Sequence, residues 1–330
     1  MNKIYDVSSI CNALVDVLVE VPEVYISDLG LKKGIMHLVD SKRQTEVWAK
    51  VEAAQKTVEL GGSAMNAIRA LAATGKKCFF VGCVSNDDFG QQIQSRMNEL
   101  KIESQLDVYV DDHSVRTGTC LILITPDGER TMNTDLGSSR FYKSEKIAFD
   151  KIGNSKIFHF SGYQWDTEPQ KKVILKALET AKNSGTKISF DVADPFAVGR
   201  HRDDFLMLIE NYADIVFANQ EEAKILGNKD AEDVAKDFGK GQKIVVVKLG
   251  SKGAVVCQNG KIVSVAPVST KVVDTTAAGD LFAAGFLYGH LDNKSLETCG
   301  KMAATLASDV ISRIGAHFSQ EALDKVRHTA

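Results

Sequence analysis

The residues best placed to do chemistry lie in one short run, Val273-Asp274-Thr275-Thr276-Ala277-Ala278-Gly279-Asp280. Its start predicts an apolar strand ending at Asp274, and the apolar residues from Leu281 onward predict a helix opening near Asp280. Small side chains let a ligand approach the backbone closely. Unpaired N–H groups at a helix start, together with the helix dipole, favour an anion. A carboxylate beside that anion makes sense if the anion is being transferred to an acceptor whose proton the carboxylate takes. Asp280 as a plain helix N-cap, with small residues kept for packing, explains the same spacing. Spacing alone leaves both readings open.

A second run, Leu60-Gly61-Gly62-Ser63-Ala64-Met65-Asn66, enters an Ala-rich helix that Gly75 can terminate. The diglycine permits positive φ and close contact with a polar ligand, and Asn66 faces the same way one turn in. Taken alone, an ordinary loop-to-helix junction accounts for it. Asn219 and Glu222 stand three apart where a strand meets a helix. They could hold hydrated Mg²⁺ or simply form a capping box, and without context the capping box is preferred. Lys248, Gly250 and Gly253 form a Gly-rich turn after a strand, which suits a nucleotide and a plain hairpin equally. No G-x-x-x-x-G-K-[ST] and no G-x-G-x-x-G occurs, so a P-loop and a nicotinamide-type site lack their fingerprints. The seven histidines are scattered without a metal or triad pattern.

The elements that must position these groups alternate. Strands are expected at residues 77–84, 156–160, 187–192, 213–218 and 243–249, with one more inside 264–273. Helices are expected at 87–100, 169–183, 220–226, 281–291 and 296–311. Such alternation predicts an α/β fold with a mainly parallel sheet covered on both faces. Two regions break the rhythm. Residues 13–22 and 34–40 read as strands joined only by loop, and 116–125 and 131–135 as a hairpin turning at Pro126-Asp127-Gly128. These segments predict a small separate sheet, a lid or dimer-forming flap built from insertions at about 13–40 and 116–135 within one domain.

The chain has 330 residues, 44% of them hydrophobic and 25% charged, with 40 Lys and Arg against 43 Asp and Glu. A basic excess that would grip nucleic acid is missing. The six cysteines form no C-x-x-C pair, so buried reduced thiols are expected rather than zinc or disulfides. With no long apolar run and no secretory pattern at the start, a cytoplasmic protein off the membrane is expected.

In this order the segments resemble the ribokinase-like (PfkB) carbohydrate kinase family, over residues 16–315. The D-T-T-x-A-G-D stretch at 274–280 is its most specific mark. The G-G-[ST]-x-x-N turn falls at 61–66, and the N-x-x-E motif on Asn219 and Glu222. Ala277 stands where the family often has Gly. Thr117-Gly118-Thr119-Cys120 followed by Glu129-Arg130, and Asn12 to Asp16 followed by Gly34-Ile35-Met36, are similar to the adenosine kinase branch. The resemblance implies ATP-dependent phosphorylation of a primary hydroxyl, most simply that of adenosine. Asp280 would be the base, Ala277, Ala278 and Gly279 the anion hole, and Arg130 a phosphate contact from the lid. Asn12, Asp16, Gly61, Gly62, Ser63 and Asn66 would take the acceptor's hydroxyls, and Tyr163 or Trp165 could stack on a base. Lys248, Gly250 and Gly253 would line the ATP side, with Mg²⁺ reached by Asn219 and Glu222 through water. A monovalent cation near Asp274 occurs in some relatives. A ribokinase- or fructokinase-like sugar kinase, and a silent sugar- or nucleoside-binding protein on the same fold, are the other readings. The state expected is a monomer, or a homodimer through the lid.

Overall fold

The computed structural model describes residues 3–112 and 114–329. Its strands are β1 (Tyr5–Ile10), β2 (Leu14–Glu20), β3 (Met36–Leu38), β4 (Thr57–Gly61), β5 (Cys78–Ser85), β6 (Glu103–Tyr109), β7 (Thr117–Ile124), β8 (Arg130–Gly137), β9 (Ser155–Ser161), β10 (Lys187–Asp191), β11 (Ile215–Asn219), β12 (Ile244–Lys248), β13 (Ala254–Gln258) and β14 (Lys261–Val265). Nine of these make one sheet in the order β14-β13-β12-β11-β10-β9-β1-β5-β6. From β6 to β12 all pairings are parallel, and only the hairpins to β13 and β14 are antiparallel. This is the ribokinase-like α/β arrangement.

Strand residues alternate between two buried layers, as a doubly covered sheet requires. Phe79, Phe158, Phe160 and Phe190 face one layer with the helices Glu168–Asn183 and Pro195–Asn211. Phe80, Ile157, Phe217 and Val246 face the other, with Ser63–Ala73, Ala278–Leu291 and Leu296–Val310. The helix Ala278–Leu291 is apolar on nearly every side, so it runs buried between Ser63–Ala73 and Leu296–Val310. All six cysteines are free and buried. No helix among the described residues is long and apolar enough to cross a membrane.

The expected small sheet exists, with one strand more than the sequence signalled. Its order is β3-β8-β7-β2-β4, and β4 pairs antiparallel with β2. β4 is only five residues long and ends in the diglycine turn. The segment between β2 and β3 is not only loop, since a short helix, Val24–Asp28, lies there. Val15, Val17, Leu121 and Leu123 face away from the cleft and are fully buried. The helix Ser41–Lys50 lies on that side: Gln44 donates to Thr119 O at 2.9 Å and Asn133 O at 3.2 Å. A second correction concerns residues 264–273, which hold no further strand beyond the end of β14. Val272 and Val273 are exposed, 57% and 41%, so the approach to Asp274 is an open loop.

His159, on β9, is sealed in the main sheet between Ser189, 2.9 Å from Nδ1, and the Phe217 ring. Burial pushes its imidazole down to about 4, from an ordinary 6.5. A depressed histidine withholds no stability above about pH 6.5. As pH falls toward 4 the unfolded chain binds a proton that the fold refuses, and stability is lost. Between pH 6.5 and 4.5 the wild type should lose on the order of 2 kcal/mol more than His159→Gln in urea denaturation. Parallel curves for the two would show that His159 is already free to titrate.

Candidate active site

The main sheet and the small sheet enclose a cavity of about 500 Å³ at the carboxyl ends of the parallel strands. Ligands of open α/β sheets collect there because strand ends and helix starts converge. Of the residues singled out from sequence, Asn12, Asp16, Gly62, Ser63, Asn66, Arg130, Tyr163, Asn219, Glu222, Lys248, Gly250, Ala277, Ala278, Gly279 and Asp280 line it.

Asp280 sits at the meeting point of two helix starts. Its Oδ1 accepts from Ser63 Oγ at 2.7 Å, and its Oδ2 from Asn66 Nδ2 at 3.0 Å. It is not the N-cap. The helix opens at Ala278, and Ala277 holds the cap position with φ 59°, a left-handed conformation unusual for a residue with a Cβ. The Ala278 N–H is spent on Thr275 O at 3.2 Å. The N–H groups of Gly279 and Asp280 meet no backbone acceptor among the described residues, as expected of a helix's first turn. The open N–H groups at this helix start are therefore those of Gly279 and Asp280 rather than that of Ala278, which the sequence had put among them. Burial raises Asp280 to about 6, and the bonds from Asn66 and Ser63 oppose that rise.

The glycines act by making room. A Cβ on Gly61 would lie 2.0 Å from Asp16 Oδ1, so the bare backbone lets β2 place its carboxyl beside the diglycine. Gly62 has φ 96°, and its Cβ would strike Asn12 O. Gly61 thus supports Asp16 without lining the cavity. Asp16 is 7% exposed, and burial, with the charge of Asp280, pushes it up to about 7. Asn12 is heavily engaged: Oδ1 accepts from Gln170 at 2.5 Å, and Nδ2 donates to Tyr163 O at 3.3 Å.

On the other side, Lys248 Nζ lies 3.2 Å from Asp191 Oδ2, and a Cβ on Gly279 would be 3.0 Å from that nitrogen. The ammonium therefore stands against this helix start. Burial opposes its charge, but Asp191 and Glu222 hold its pKa above the ordinary value. Asn219 and Glu222 close a capping box, with Glu222 Oε2 accepting from Asn219 N at 2.6 Å and Oε1 from Asn219 Nδ2 at 2.5 Å. Both carboxylate oxygens are occupied, so the pair faces the cleft as a cap first. Gly253, φ 86°, serves the turn into β13, and its Cβ would meet Val265 O; it does not line the cavity. Trp165 is core, 3% exposed, with Nε1 donating to Asp204 Oδ2 at 2.7 Å, while Tyr163 lines the cavity. Arg130 crosses from β8, donating from Nη1 to Thr276 Oγ1 at 3.1 Å, with Nε 3.7 Å from Asp274. Asp274 accepts from Thr276 N and Gly315 N and so fixes the loop before the helix start.

Sequence reasoning missed Asp191 and Asp194. Asp194 caps the helix Pro195–Asn211, its Oδ1 accepting from Phe196 N at 2.6 Å and Ala197 N at 2.9 Å, while its buried Oδ2 has no partner among the described residues. The available signal was a carboxylate at the end of an apolar strand, followed by Asp-Pro. No group of three or more His, Cys, Asp or Glu suited to hold a metal directly occurs among the described residues.

The Asp16 carboxyl accepts no hydrogen bond among the described residues, so its charge is a liability to the fold. A carboxyl raised from 3.8 to about 7 lowers stability as pH climbs through that window, because the folded state retains a proton that the unfolded chain has released. Asp16→Asn should therefore be more stable than wild type at pH 8, by on the order of 2–4 kcal/mol, with the gain fading toward pH 4. Equal or lower stability at pH 8, read from thermal or urea melts, would show that Asp16 is well compensated.

Comparison with known proteins bears on this site. Residues 34–323 match the pfkB family carbohydrate kinase profile. The structure superposes on the adenosine kinase from Sinorhizobium meliloti with a TM-score of 0.92 and 33% identity, covering 99% of each chain. The adenosine kinase of Saccharomyces cerevisiae is 28% identical, over 94% of this chain and 96% of its own length. The 5-dehydro-2-deoxygluconokinase of Bacillus subtilis is also 28% identical, over 80% of this chain and 83% of its own. The profile match, over residues 34–323, spans most of the chain, which belongs to the pfkB family of carbohydrate kinases.

Proposed function

We propose that the chain transfers the γ-phosphoryl group of ATP to the primary hydroxyl of adenosine, giving AMP. The observation that carries this reading is the apolar roof of the cleft. Met36, Leu38, Ile122, Met132 and Leu136 line it from the small sheet, on the same face as Asp16 and across the cleft from Ser63 and Asp280. A purine presents a large flat apolar surface to such a roof, and a free sugar, with hydroxyls all round, does not. Tyr163 is the aromatic available to the base, and stacking of that kind is worth roughly 1–3 kcal/mol. That two of the similar proteins are adenosine kinases supports the same reading.

The polar residues of the cleft would read the ribose. Asp16 offers acceptors to vicinal hydroxyls, with Asn12, Gly62, Ser63 and Asn66 around them and Gly61 keeping the approach open. Phosphoryl transfer is mostly positioning and charge neutralisation. Asp280 would orient the 5′ hydroxyl and take its proton, and a carboxyl raised to about 6 is a better base near neutrality than an ordinary one. The N–H groups of Gly279 and Asp280, just after the Ala277–Ala278 turn, would hold the transferring group, flanked by Lys248 and Arg130. Gly250 would line the nucleotide side, and Gly253 would shape its turn. Magnesium would enter on the nucleotide phosphates and supply charge neutralisation. The unpartnered Oδ2 of Asp194 fits a hydrated cation, with Asn219 and Glu222 acting through water. The small sheet would act as a lid within one domain. Its far side is covered by the chain's own helix Ser41–Lys50, which favours a monomer over a dimer through that face.

A sugar kinase is the second reading, because the polar residues suit any polyol and one similar protein is a 5-dehydro-2-deoxygluconokinase. ATP consumption with adenosine, inosine, ribose, fructose and 5-dehydro-2-deoxygluconate, each offered alone, separates the two. Adenosine should give the highest kcat/KM, and a higher value for any sugar sinks the adenosine assignment. Turnover of none of them would favour a silent binding protein.

Asp280→Asn should fold and bind ATP while kcat falls about 10²- to 10⁴-fold, the usual worth of a positioned base. Near-wild-type turnover would remove Asp280 from the mechanism.

A further inference from the structure

We propose that Arg69, which does not line the substrate cleft, is a positioning residue that sets which way the Asn66 amide faces and thereby aims the Asp280 carboxylate. The inference rests on the reading of Asp280 as the base.

Arg69 lies on the helix Ser63–Ala73, one turn beyond Asn66, and is 3% exposed. Its Nη1 donates to Asn66 Oδ1 at 3.1 Å and to Leu60 O at 3.0 Å. A guanidinium has donors and no acceptor, so only the oxygen of the Asn66 amide can face it. The amide nitrogen must then point the other way, where it donates to Asp280 Oδ2 at 3.0 Å. An ionised carboxylate accepts and cannot donate, so the chain Arg69 to Asn66 to Asp280 has one polarity from end to end. Without Arg69 the amide is free to turn its oxygen toward Asp280. That would repel the carboxylate and leave Ser63 as the remaining donor to it.

The environment of Arg69 fits a device rather than packing. Its Nε is buried with no hydrogen-bond partner among the described residues. Burial, and the nearby charge of Arg96, depress its pKa to about 10. A Leu or Met in a helix this apolar would avoid the cost of an incompletely paired buried cation. The second bond, to Leu60 O, holds β4 just before Gly61, so the same guanidinium also fixes the strand end that lets Asp16 into the cleft.

Arg69→Met should fold and keep the KM for ATP while kcat falls about 10- to 100-fold, the usual cost of losing a group that orients a functional side chain. Arg69→Lys, whose ammonium also only donates, should recover most of that loss. The decisive measurement is a double-mutant cycle. In an Asn66→Ala background, Arg69→Met should cost nothing further in kcat, because the group through which it acts on Asp280 is gone, while its bond to Leu60 O bears on the KM of the acceptor instead. Wild-type kcat in a folded Arg69→Met, or losses that multiply in the double mutant, would overturn the proposal. If Met at this buried position prevents folding, Arg69→Leu, shorter and equally without a donor, carries the same cycle with the same expected direction. Failure of the base reading would show separately, as turnover retained in Asp280→Asn.

Discussion

Two hydrogen bonds to one carboxylate organise this molecule's centre. Ser63 and Asn66, both in the first turns of one buried helix, donate to Asp280 in the first turn of another. They join helix starts that lie more than two hundred residues apart in sequence. Because the helices pack side by side, their dipoles add at one spot, where an anion is stabilised. A carboxylate at that spot is tolerated because donors already face it. The apolar strands and helices behind supply the rigidity that keeps these starts from drifting apart.

The cleft is built at an electrostatic cost. Asp16, Asp280 and Glu222 are all pushed upward, mainly by burial, and Lys248 stands among carboxyls. A fold selected for stability alone would not gather these groups in one cavity. Their arrangement is ordered, however. The carboxyl without a hydrogen bond lies on the small sheet, and the cation lies against the helix start. An acceptor with hydroxyls would satisfy the first, and phosphate oxygens would satisfy the second.

The small sheet adds selectivity of another kind. Its strands alternate so that one face is apolar over the cleft and the other is buried under the chain's own helix. Arg130 ties this sheet to the loop before the helix start through Thr276. The same sheet therefore carries both the apolar lining of the cleft and the guanidinium that reaches that loop.

Sequence alone determined the family, the parallel sheet and most of the named residues that the fold gathers in one cleft. Those signals are local: apolar runs of strand length, a diglycine before an Ala-rich helix, and small residues before Asp280. It also allowed the capping box at Asn219 and Glu222, since the three-residue spacing specifies it. Tertiary structure decided the rest, where the deciding contacts are distant in the chain. Whether Tyr163 or Trp165 faces the cleft depends on the helix Pro195–Asn211, whose Asp204 captures the Trp165 indole. That Gly61 exists to admit Asp16 is visible only once β2 and β4 pair. The role of Asp191 needs Lys248, 57 residues on, to be recognised. The strand expected before Asp274 failed because valines in a row satisfy a strand pattern whether or not a neighbour offers its edge. Here none does, and the loop is left open at the mouth of the site.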